Sequence, residues 1–277
     1  MKRIYKVNEN YFEKIDTPEK AYILGFFYAD GYNNEEIGVL EFVQKEERID
    51  ILEQIKECLE CDYKIKEYTP GKWTLNVYSK KMSSDIAKAG AMQCKSHIIK
   101  FPNSNILSPK LIPHFIRGYF DGDGCIWNGK RKFMKFKSRP NGRIIHNVKF
   151  NITGNIELIQ EIQNFLVITL GFSKTKLNIR HKNVENIVTM EYSGHANIKK
   201  FYDLIYSNAT IFCKEKKEKF EEIFCAFDEK SSNETGLIAG TPEMVISSQA
   251  EINSEGSSTI PEMEVGSSDS KCPALSE

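Results

Sequence analysis

The sequence contains one short pattern twice, and this repeat limits the folds open to the chain more than any other feature. Residues 21–31 read Ala-Tyr-Ile-Leu-Gly-Phe-Phe-Tyr-Ala-Asp-Gly, and residues 114–124 read His-Phe-Ile-Arg-Gly-Tyr-Phe-Asp-Gly-Asp-Gly. In both copies a glycine stands among apolar residues, and both end in Asp-Gly, with Asp30 and Asp123 at the same position of the pattern. Such self-similarity predicts two similar halves.

The segments that follow the two copies correspond as well. Residues 49–55 and 156–162 have the apolar spacing of an amphipathic helix, and residues 73–79 and 187–193 have the composition of a strand. Each half therefore predicts the order helix, two strands, helix, two strands, helix. The predicted fold class is α+β, with two αββαββα halves, residues 1–105 and 106–227, related by a pseudo-twofold axis.

Glycines occupy unusual positions in the repeated pattern. Gly31 and Gly124 are predicted to end their helices, because glycine readily adopts the left-handed conformation that follows a helix. Gly25 and Gly118 stand in mid-helix, where glycine costs about 1 kcal/mol relative to alanine. That cost is offset where two helix backbones approach closely, so we expect these two glycines at a helix–helix interface.

The paired aspartates predict a cation site. Asp30 and Asp123 stand at the carboxyl ends of their helices, where the helix dipole disfavours an anion. If the two helices pair around a pseudo-twofold axis, the two carboxylates converge. Converging carboxylates favour a hard cation with oxygen ligands, and Mg²⁺ fits, with Mn²⁺ as a substitute. One Asp-Gly alone is typical of an ordinary turn, but two copies within the same pattern favour a cation-binding site.

These features resemble the LAGLIDADG homing endonucleases, in particular the single-chain members with two motifs. The resemblance rests on residues 23–31 and 116–124 and covers roughly residues 15–227. It implies that each half presents an antiparallel sheet to the DNA major groove, so that the two sheets form a DNA-binding saddle. It also implies that Asp30 and Asp123 bind a catalytic divalent metal ion, with the backbone of Ala29 and Gly122 as further ligands.

The resemblance suggests further active-site residues. Gln44 and Lys45 end the second strand of the first half, and Lys80, or its neighbour Lys81, ends the fourth strand, at positions where the family often carries catalytic polar or basic side chains. The second half departs from this pattern, with Thr-Gly at residues 153–154 and Gly-His at residues 194–195. His195 could substitute in part, but the expected lysine is missing there, which predicts unequal cleavage rates of the two DNA strands or loss of cleavage of one strand.

The charge of the chain is unevenly distributed. The 38 basic and 38 acidic residues balance, but residues 228–277 contain ten acidic residues, two basic residues and no aromatic residue. This composition predicts a disordered acidic tail over residues 228–277. The remaining residues 1–227 carry 36 basic and 28 acidic side chains, a net charge near +8 that suits a polyanionic partner.

Basic and amide side chains concentrate where the predicted sheets would contact DNA. Residues 128–143 hold seven Lys or Arg residues, and the following strand alternates apolar residues with amides and a lysine. Such side chains bind phosphates and read base edges in the major groove. The predicted DNA-binding residues are Lys64, Lys66, Lys72, Arg131, Lys132, Lys135, Lys137, Arg139, Arg143, Asn147, Lys149, Asn151, Arg180 and Lys182.

The predicted function is a site-specific, Mg²⁺-dependent endonuclease that cleaves both strands of double-stranded DNA as a monomer, encoded within an intron whose mobility it promotes. Two alternatives remain open: an RNA maturase of the same fold that binds intron RNA, and an inactive DNA-binding regulator. The sequence contains no apolar run long enough for a membrane span and no export signal at its start. An intracellular location with the DNA is therefore expected, in the bacterial or phage cytoplasm or as an organelle-encoded protein.

Overall fold

The computed structural model describes residues 5–92, 99–133, 143–181 and 184–236. Two successive stretches of chain have the same order of elements, and the second continues into one additional helix at its end. The elements of the first half are α1 (Pro18–Asp30), β1 (Gly31–Asn34), β2 (Val39–Lys45), α2 (Ile49–Cys58), β3 (Lys66–Thr69), β4 (Lys72–Tyr78) and α3 (Lys80–Lys88). Those of the second half are α4 (Ile112–Asp123), β5 (Gly124–Phe133), β6 (Arg143–Asn155), α5 (Ile156–Leu170), β7 (Asn178–His181), β8 (Val184–Ser193), α6 (His195–Tyr206) and α7 (Lys214–Gly236).

Each half contains one four-stranded antiparallel sheet. The strand order is β1-β2-β4-β3 in the first sheet and β5-β6-β8-β7 in the second, so the two sheets have the same topology. In the first sheet short hairpins join β1 to β2 and β3 to β4, a connection that antiparallel pairing permits, whereas α2 and β3 lie between the central neighbours β2 and β4 in the chain. The predicted α+β class with two similar halves is confirmed.

Helices cover one face of each sheet. In β2, Leu40 and Phe42 are fully buried, whereas Glu41 and Val43 between them are only half-buried. The second sheet alternates in the same way, with buried Phe150 on its covered face. Because successive side chains of a strand point to opposite faces, each sheet keeps its other face open to solvent.

The two repeated helices begin and end in ways that their sequences dictate. α1 begins after Thr17, whose side chain accepts a hydrogen bond from the Lys20 backbone N–H at 3.3 Å. Both helices pass directly into a strand at Gly31 and Gly124. The predicted left-handed ending is wrong, because φ is −81° at Gly31 and −87° at Gly124.

Space explains the glycines at these helix ends. A Cβ at Gly31 would lie 2.2 Å from the Phe27 ring, and one at Gly124 would lie 2.1 Å from the Phe120 ring. No side chain larger than hydrogen fits where the strand folds back over the aromatic ring of the preceding turn. Glycine is thus required here for close packing and not for backbone conformation.

Helices α1 and α4 pack backbone against backbone. A Cβ added to Gly25 would lie 2.0 Å from the Phe115 carbonyl oxygen, and one added to Gly118 would lie 2.0 Å from the Tyr22 carbonyl oxygen. Gly25 and Gly118 thus lie at the interface between the helices, and their contacts are reciprocal. Reciprocal contacts are what a pseudo-twofold relation between the two halves produces.

The last helix continues beyond the point at which the sequence predicts the acidic tail to begin. α7 runs to Gly236, past residue 228. The rest of the predicted tail, residues 237–277, lies outside the described residues. In the part of the chain that is described, no helix combines the length and apolar character that crossing a membrane requires.

Candidate functional site

The two repeated aspartates meet where α1 and α4 end. Asp30 and Asp123 are the last residues of their helices. A Cβ placed on Gly122 would lie 2.3 Å from the Ala29 Cβ and 3.3 Å from Asp30 Oδ2. The Asp30 carboxylate therefore lies against the backbone that immediately precedes Asp123, and the absence of a side chain at Gly122 permits this approach.

Gln44 holds the first aspartate in place. Its side-chain Nε2 donates a hydrogen bond of 2.7 Å to Asp30 Oδ2, and the side chain is only 7% exposed. Gln44 belongs to the covered face of β2, which aims the amide at the end of α1. The structure thus brings the predicted pair Asp30 and Gln44 together.

Lys45 does not share this contact. It follows Gln44 in β2, so its side chain points to the opposite, solvent-exposed face of the sheet. Across the sheet it pairs with Lys72 of β4. Lys45 therefore contributes a positive charge to the open face and does not provide a second hydrogen bond to Asp30.

The structure does not bring Lys80 to the predicted pair Asp30 and Gln44. Lys80 begins α3 beside Gly38, at the turn between β1 and β2, where a Cβ on Gly38 would meet Lys80 Cγ at 2.7 Å. That turn lies at the opposite end of β2 from Gln44, and the intervening residues span roughly 17 Å at about 3.3 Å each. A position directly after a strand does not by itself reveal which end of the sheet the residue occupies.

The second half uses a different side chain near its aspartate. Its strand β6 has Gly154 where an inward-facing side chain would stand, and the Tyr119 hydroxyl fills that space and donates to the Thr153 carbonyl oxygen at 3.1 Å. Burial, the charges of Asp123 and Asp30, and a hydrogen bond with Asp123 raise the pKa of Tyr119 well above its usual value. The hydroxyl therefore keeps its proton beside both carboxylates.

Arg48, which the sequence analysis missed, adds a positive charge close to the first aspartate. Its Nε donates to Glu215 Oε2 at 2.5 Å. Burial lowers the pKa of Arg48, but the hydrogen bond to Glu215 is the largest of several opposing effects, which together raise the pKa. The negative charge of Asp30 contributes to the rise. The contact joins residues 167 positions apart. No local pattern in the sequence indicates it.

Lys216 is a second missed residue and lies at the end of α4. It is 3% exposed, and its Nζ donates to the carbonyl oxygens of Phe120, Asp121 and Gly122 at 2.6, 2.7 and 3.0 Å. Burial lowers its pKa, which the charge of Asp121 partly offsets. An ammonium group here opposes the negative end of the helix dipole. One sequence pattern could have revealed it, since Lys216 shares the helix face of buried Phe220.

Asp121, the earlier acidic residue of the second motif, has a structural role. It is 1% exposed and accepts hydrogen bonds from the Tyr206 hydroxyl (2.6 Å), the Tyr22 hydroxyl (2.9 Å) and the Cys213 backbone N–H (2.7 Å). Burial raises the pKa of Asp121, and these donors and the charge of Lys216 oppose the rise. The carboxylate links α4 to α1, to α6 and to the segment before α7.

The open face of the first sheet carries aromatic and polar side chains. Lys66 and Lys72 of the predicted DNA-binding set lie on it, since Lys66 pairs with Thr74 and Lys72 with Lys45. The half-exposed aromatic residues of this sheet are Tyr32, Tyr68 and Tyr78. Lys64 differs, because it lines a surface depression with Glu53, Lys56 and Glu57 of α2.

The open face of the second sheet contains a connected set of side chains. Asn147, Lys149 and Asn151 alternate with buried residues of β6, as the sequence predicts for a groove-facing strand. Lys149 Nζ lies 2.6 Å from Glu191 Oε2 and 5.7 Å from the centre of the Trp127 ring. The ion pair and the cation–π contact hold the lysine in one orientation over the face.

Part of the predicted DNA-binding set cannot be compared with the structure. Lys135, Lys137, Arg139 and Lys182 lie outside the described residues. For the following residues only the strand that carries them is described: Arg131 and Lys132 in β5, Arg143 in β6 and Arg180 in β7.

Comparison with known proteins identifies the fold. The sequence profile of the LAGLIDADG-like domain matches residues 111–206. This stretch is similar to LAGLIDADG-like domains. No curated protein matches the chain.

Solved LAGLIDADG structures extend the likeness to both halves. I-AabMI, a LAGLIDADG meganuclease bound to uncleaved DNA, shares 14% identity with the chain over 79% of this chain and 93% of its own, with a TM-score of 0.52. The LAGLIDADG homing endonuclease I-LtrWI bound to target DNA shares 14% over 80% and 92%, also with a TM-score of 0.52. I-SmaMI, bound to an uncleaved DNA target in the presence of calcium ions, shares 13% over 79% and 93%, with a TM-score of 0.52. The resemblance predicted from the two motifs is confirmed, and at these identities the solved structures establish the fold.

The two repeated aspartates form a donor set that fits a hard divalent cation. Asp30 and Asp123 supply carboxylate oxygens, and the Gly122 carbonyl oxygen already accepts a hydrogen bond from Lys216. In the described part of the chain, no group of three or more His, Cys, Asp or Glu side chains could hold a metal ion. Mg²⁺ commonly binds through one or two carboxylates and completes its shell with water and substrate phosphates. Two carboxylates without a third ligand side chain are therefore sufficient for a site that DNA would complete.

Proposed function

We propose that this chain is a site-specific homing endonuclease that hydrolyses both strands of double-stranded DNA with Mg²⁺, or Mn²⁺ in its place. One observation carries the proposal: the last residues of two helices that touch backbone to backbone are aspartates, and Gln44 fixes one of them. The LAGLIDADG-like domain and the DNA complexes of structures with the same fold support it.

The residues around the aspartates perform distinct tasks in this reaction. Asp30 and Asp123 would hold the divalent cation, which when bound would supply charge neutralisation at the phosphate and a more acidic water. Gln44 keeps Asp30 oriented through its amide hydrogen bond. Arg48 places a guanidinium group close to Asp30, where it can oppose the negative charge that develops on the phosphate in the transition state. Lys216 limits the build-up of negative charge at the end of α4.

The open faces of the two sheets would contact the DNA. Their positive side chains, such as Lys66, Lys72 and Lys149, can pair with phosphates, and the amides of Asn147 and Asn151 can pair with base edges. The net charge near +8 of residues 1–227 provides long-range attraction. We further propose that the protein acts as a monomer inside the cell, since a single chain supplies both motifs, and that an intron encodes it.

The test replaces each aspartate in turn. In Asp30→Asn and Asp123→Asn we expect Mg²⁺-dependent cleavage to fall by at least about a thousandfold, because the amide oxygen is a poor ligand for the cation. Binding of the duplex, measured by fluorescence anisotropy, should persist. The substrate is a duplex recovered by selecting cleaved sequences from a randomised library.

A surface aspartate provides the control. Asp203→Asn removes a half-exposed carboxylate of α6 that pairs with Lys199, and it should leave cleavage unchanged. Full cleavage by either motif variant would refute the proposal. If the wild-type chain binds duplexes and never cleaves them, the DNA-binding regulator is the correct interpretation, and preferential binding of intron RNA with rescue of splicing would indicate the maturase.

A further inference from the structure

The two halves provide hydrogen bonds to their aspartates from different places in the sequence. In the first sheet Gly31 pairs with Phe42, and in the second Gly124 pairs with Ile152. These glycines directly follow the two aspartates, so the position two residues beyond each partner is equivalent in the two halves. That position is Gln44 in the first half and Gly154 in the second.

The missing side chain at Gly154 is replaced by a hydroxyl group from the helix. A Cβ at Gly154 would lie 2.1 Å from the Tyr119 hydroxyl oxygen, so the tyrosine occupies the volume that a side chain at 154 would fill. In the first motif the residue equivalent to Tyr119 is Phe26, which has no hydroxyl group. The first half thus combines phenylalanine with glutamine, and the second combines tyrosine with glycine.

The tyrosine hydroxyl reaches the same kind of target as the glutamine amide. Gln44 Nε2 donates to Asp30 Oδ2 at 2.7 Å. The Tyr119 hydroxyl has one proton and faces two acceptors: the Thr153 carbonyl oxygen, to which it donates at 3.1 Å, and the Asp123 carboxylate, one helical turn further along α4. Its ring is 2% exposed and is held between α1, α4 and β6, so the hydroxyl has one well-defined position.

We propose that Tyr119 is the positioning residue of the second half, which orients the Asp123 carboxylate for a divalent cation as Gln44 orients Asp30. This inference rests on the proposed function. It goes beyond that function by assigning a different positioning side chain to each of the two metal-binding carboxylates. It also gives the predicted inequality of the two strands a structural cause: a tyrosine hydroxyl from the helix supports one carboxylate, and a glutamine amide from the sheet supports the other.

The test compares Tyr119→Phe with the wild-type chain by two measurements. Mn²⁺ binding to the full chain with and without a cleavable duplex is followed by electron paramagnetic resonance. Nicking of each strand is followed separately with a label on one strand at a time. We expect Tyr119→Phe to weaken Mn²⁺ binding and to slow one strand by about tenfold, the effect of a lost hydrogen bond to a charged group. Gln44→Ala should slow the opposite strand.

Two further variants separate positioning from stability. Tyr22→Phe removes another buried tyrosine hydroxyl of the same helix pair, one that donates to Asp121, and it should lower the melting temperature without changing Mn²⁺ binding. Tyr119→Phe combined with Gly154→Gln copies the arrangement of the first half. This double variant should restore Mn²⁺ binding and the slowed strand, at least in part.

The outcomes distinguish this inference from the proposed function. If the wild-type chain binds no Mn²⁺ and cleaves no duplex, both fail. If the wild-type chain binds Mn²⁺ and cleaves, and Tyr119→Phe leaves metal binding and both strand rates unchanged, only the role of Tyr119 is refuted. Equal slowing of both strands in Tyr119→Phe, without recovery in the double variant, would show a general structural defect and would also refute it.

Discussion

Single charged residues at the start of α7 set the electrostatic conditions at the ends of α1 and α4. Lys216 donates to three carbonyl oxygens at the end of α4, and the adjacent Glu215 accepts from Arg48 of the first half. The two residues are neighbours in the chain, yet they act on different helices. Cationic groups thus accompany the two carboxylates that would otherwise repel each other.

The ion pair between Glu215 and Arg48 predicts a pH-dependent contribution to stability. The hydrogen bond from Arg48, against the opposing effect of burial, lowers the pKa of Glu215 from 4.5 to about 2. A carboxyl whose pKa is lowered by folding stabilises the protein above its unfolded pKa, and this stabilisation is lost as the pH falls from about 4.5 towards about 2. Because the pair is partly exposed and screened by solvent, we expect Glu215→Gln to cost on the order of 1 kcal/mol at neutral pH.

Urea unfolding of the wild-type chain and of Glu215→Gln at pH 7, 5 and 3 tests this expectation. The difference in the free energy of unfolding should be largest at pH 7 and should shrink by pH 3. Glu218→Gln is the matched control, since Glu218 lies on the same helix and its contact with Lys214 is long, at 3.8 Å, and exposed. A difference for Glu215→Gln that is the same at pH 7 and pH 3 would contradict the assigned role of the ion pair.

At the scale of the elements, the contact between α1 and α4 leaves no space for a larger side chain at its two glycines. Each helix places a glycine where a Cβ would come within 2.0 Å of a carbonyl oxygen of the other helix. Alanine favours helix formation by about 1 kcal/mol over glycine, so propensity alone would make alanine the better residue at both positions. The distance to the neighbouring backbone reverses that preference, because backbone cannot move aside as a side chain can.

We therefore expect Gly25→Ala to destabilise the chain by about 3 kcal/mol through forced separation of the two helices. The same separation would move Asp30 away from Asp123 and reduce cation binding. Chemical denaturation measures the first effect. Gly71→Ala is the control, because no atom lies within 4 Å of its added Cβ and only its left-handed backbone, at φ +75°, is strained, which costs about 1 kcal/mol. Equal or greater stability of Gly25→Ala would show that the helices do not touch as described.

For the molecule as a whole, the separation of charge along the sequence predicts how DNA binding responds to salt. Residues 1–227 carry a net charge near +8, whereas residues 237–277 contain seven acidic residues and one basic residue. If these acidic residues compete with DNA for the positive sheet faces, deleting residues 237–277 should raise the affinity for duplex DNA severalfold at low salt. The gain should disappear at high salt, because the screening length falls to about 3 Å at 1 M.

Fluorescence anisotropy of a labelled duplex measures the affinity at about 50 mM and about 500 mM NaCl. At these concentrations electrostatic screening is weaker and stronger, respectively, than at physiological salt. A full-length variant in which the seven acidic residues are changed to the corresponding amides separates charge from chain length, and it should behave like the deletion. Unchanged affinity of both variants at low salt would exclude competition by this segment.

The sequence alone determined the parts of this protein that repeat. Two copies of one pattern predict two α+β halves, a helix pair in contact at Gly25 and Gly118, and two aspartates at helix ends. These features follow from local rules, since helix period, strand alternation and the space a glycine leaves are properties of short segments. Gln44 was also within reach, because the resemblance to LAGLIDADG proteins fixes its distance from the motif along the chain.

The tertiary structure decided which side chains surround the aspartates. Arg48 reaches Glu215, Lys216 reaches the end of α4, and Tyr119 fills the space at Gly154, through contacts between residues far apart in the chain. Lys80, which local order assigns to the site, lies at the other end of its sheet. Local sequence patterns define the helices and strands and their buried faces. Which of these faces contact each other is decided by the packing of one half against the other. The identity of the residues at that meeting point is therefore a property of the folded molecule.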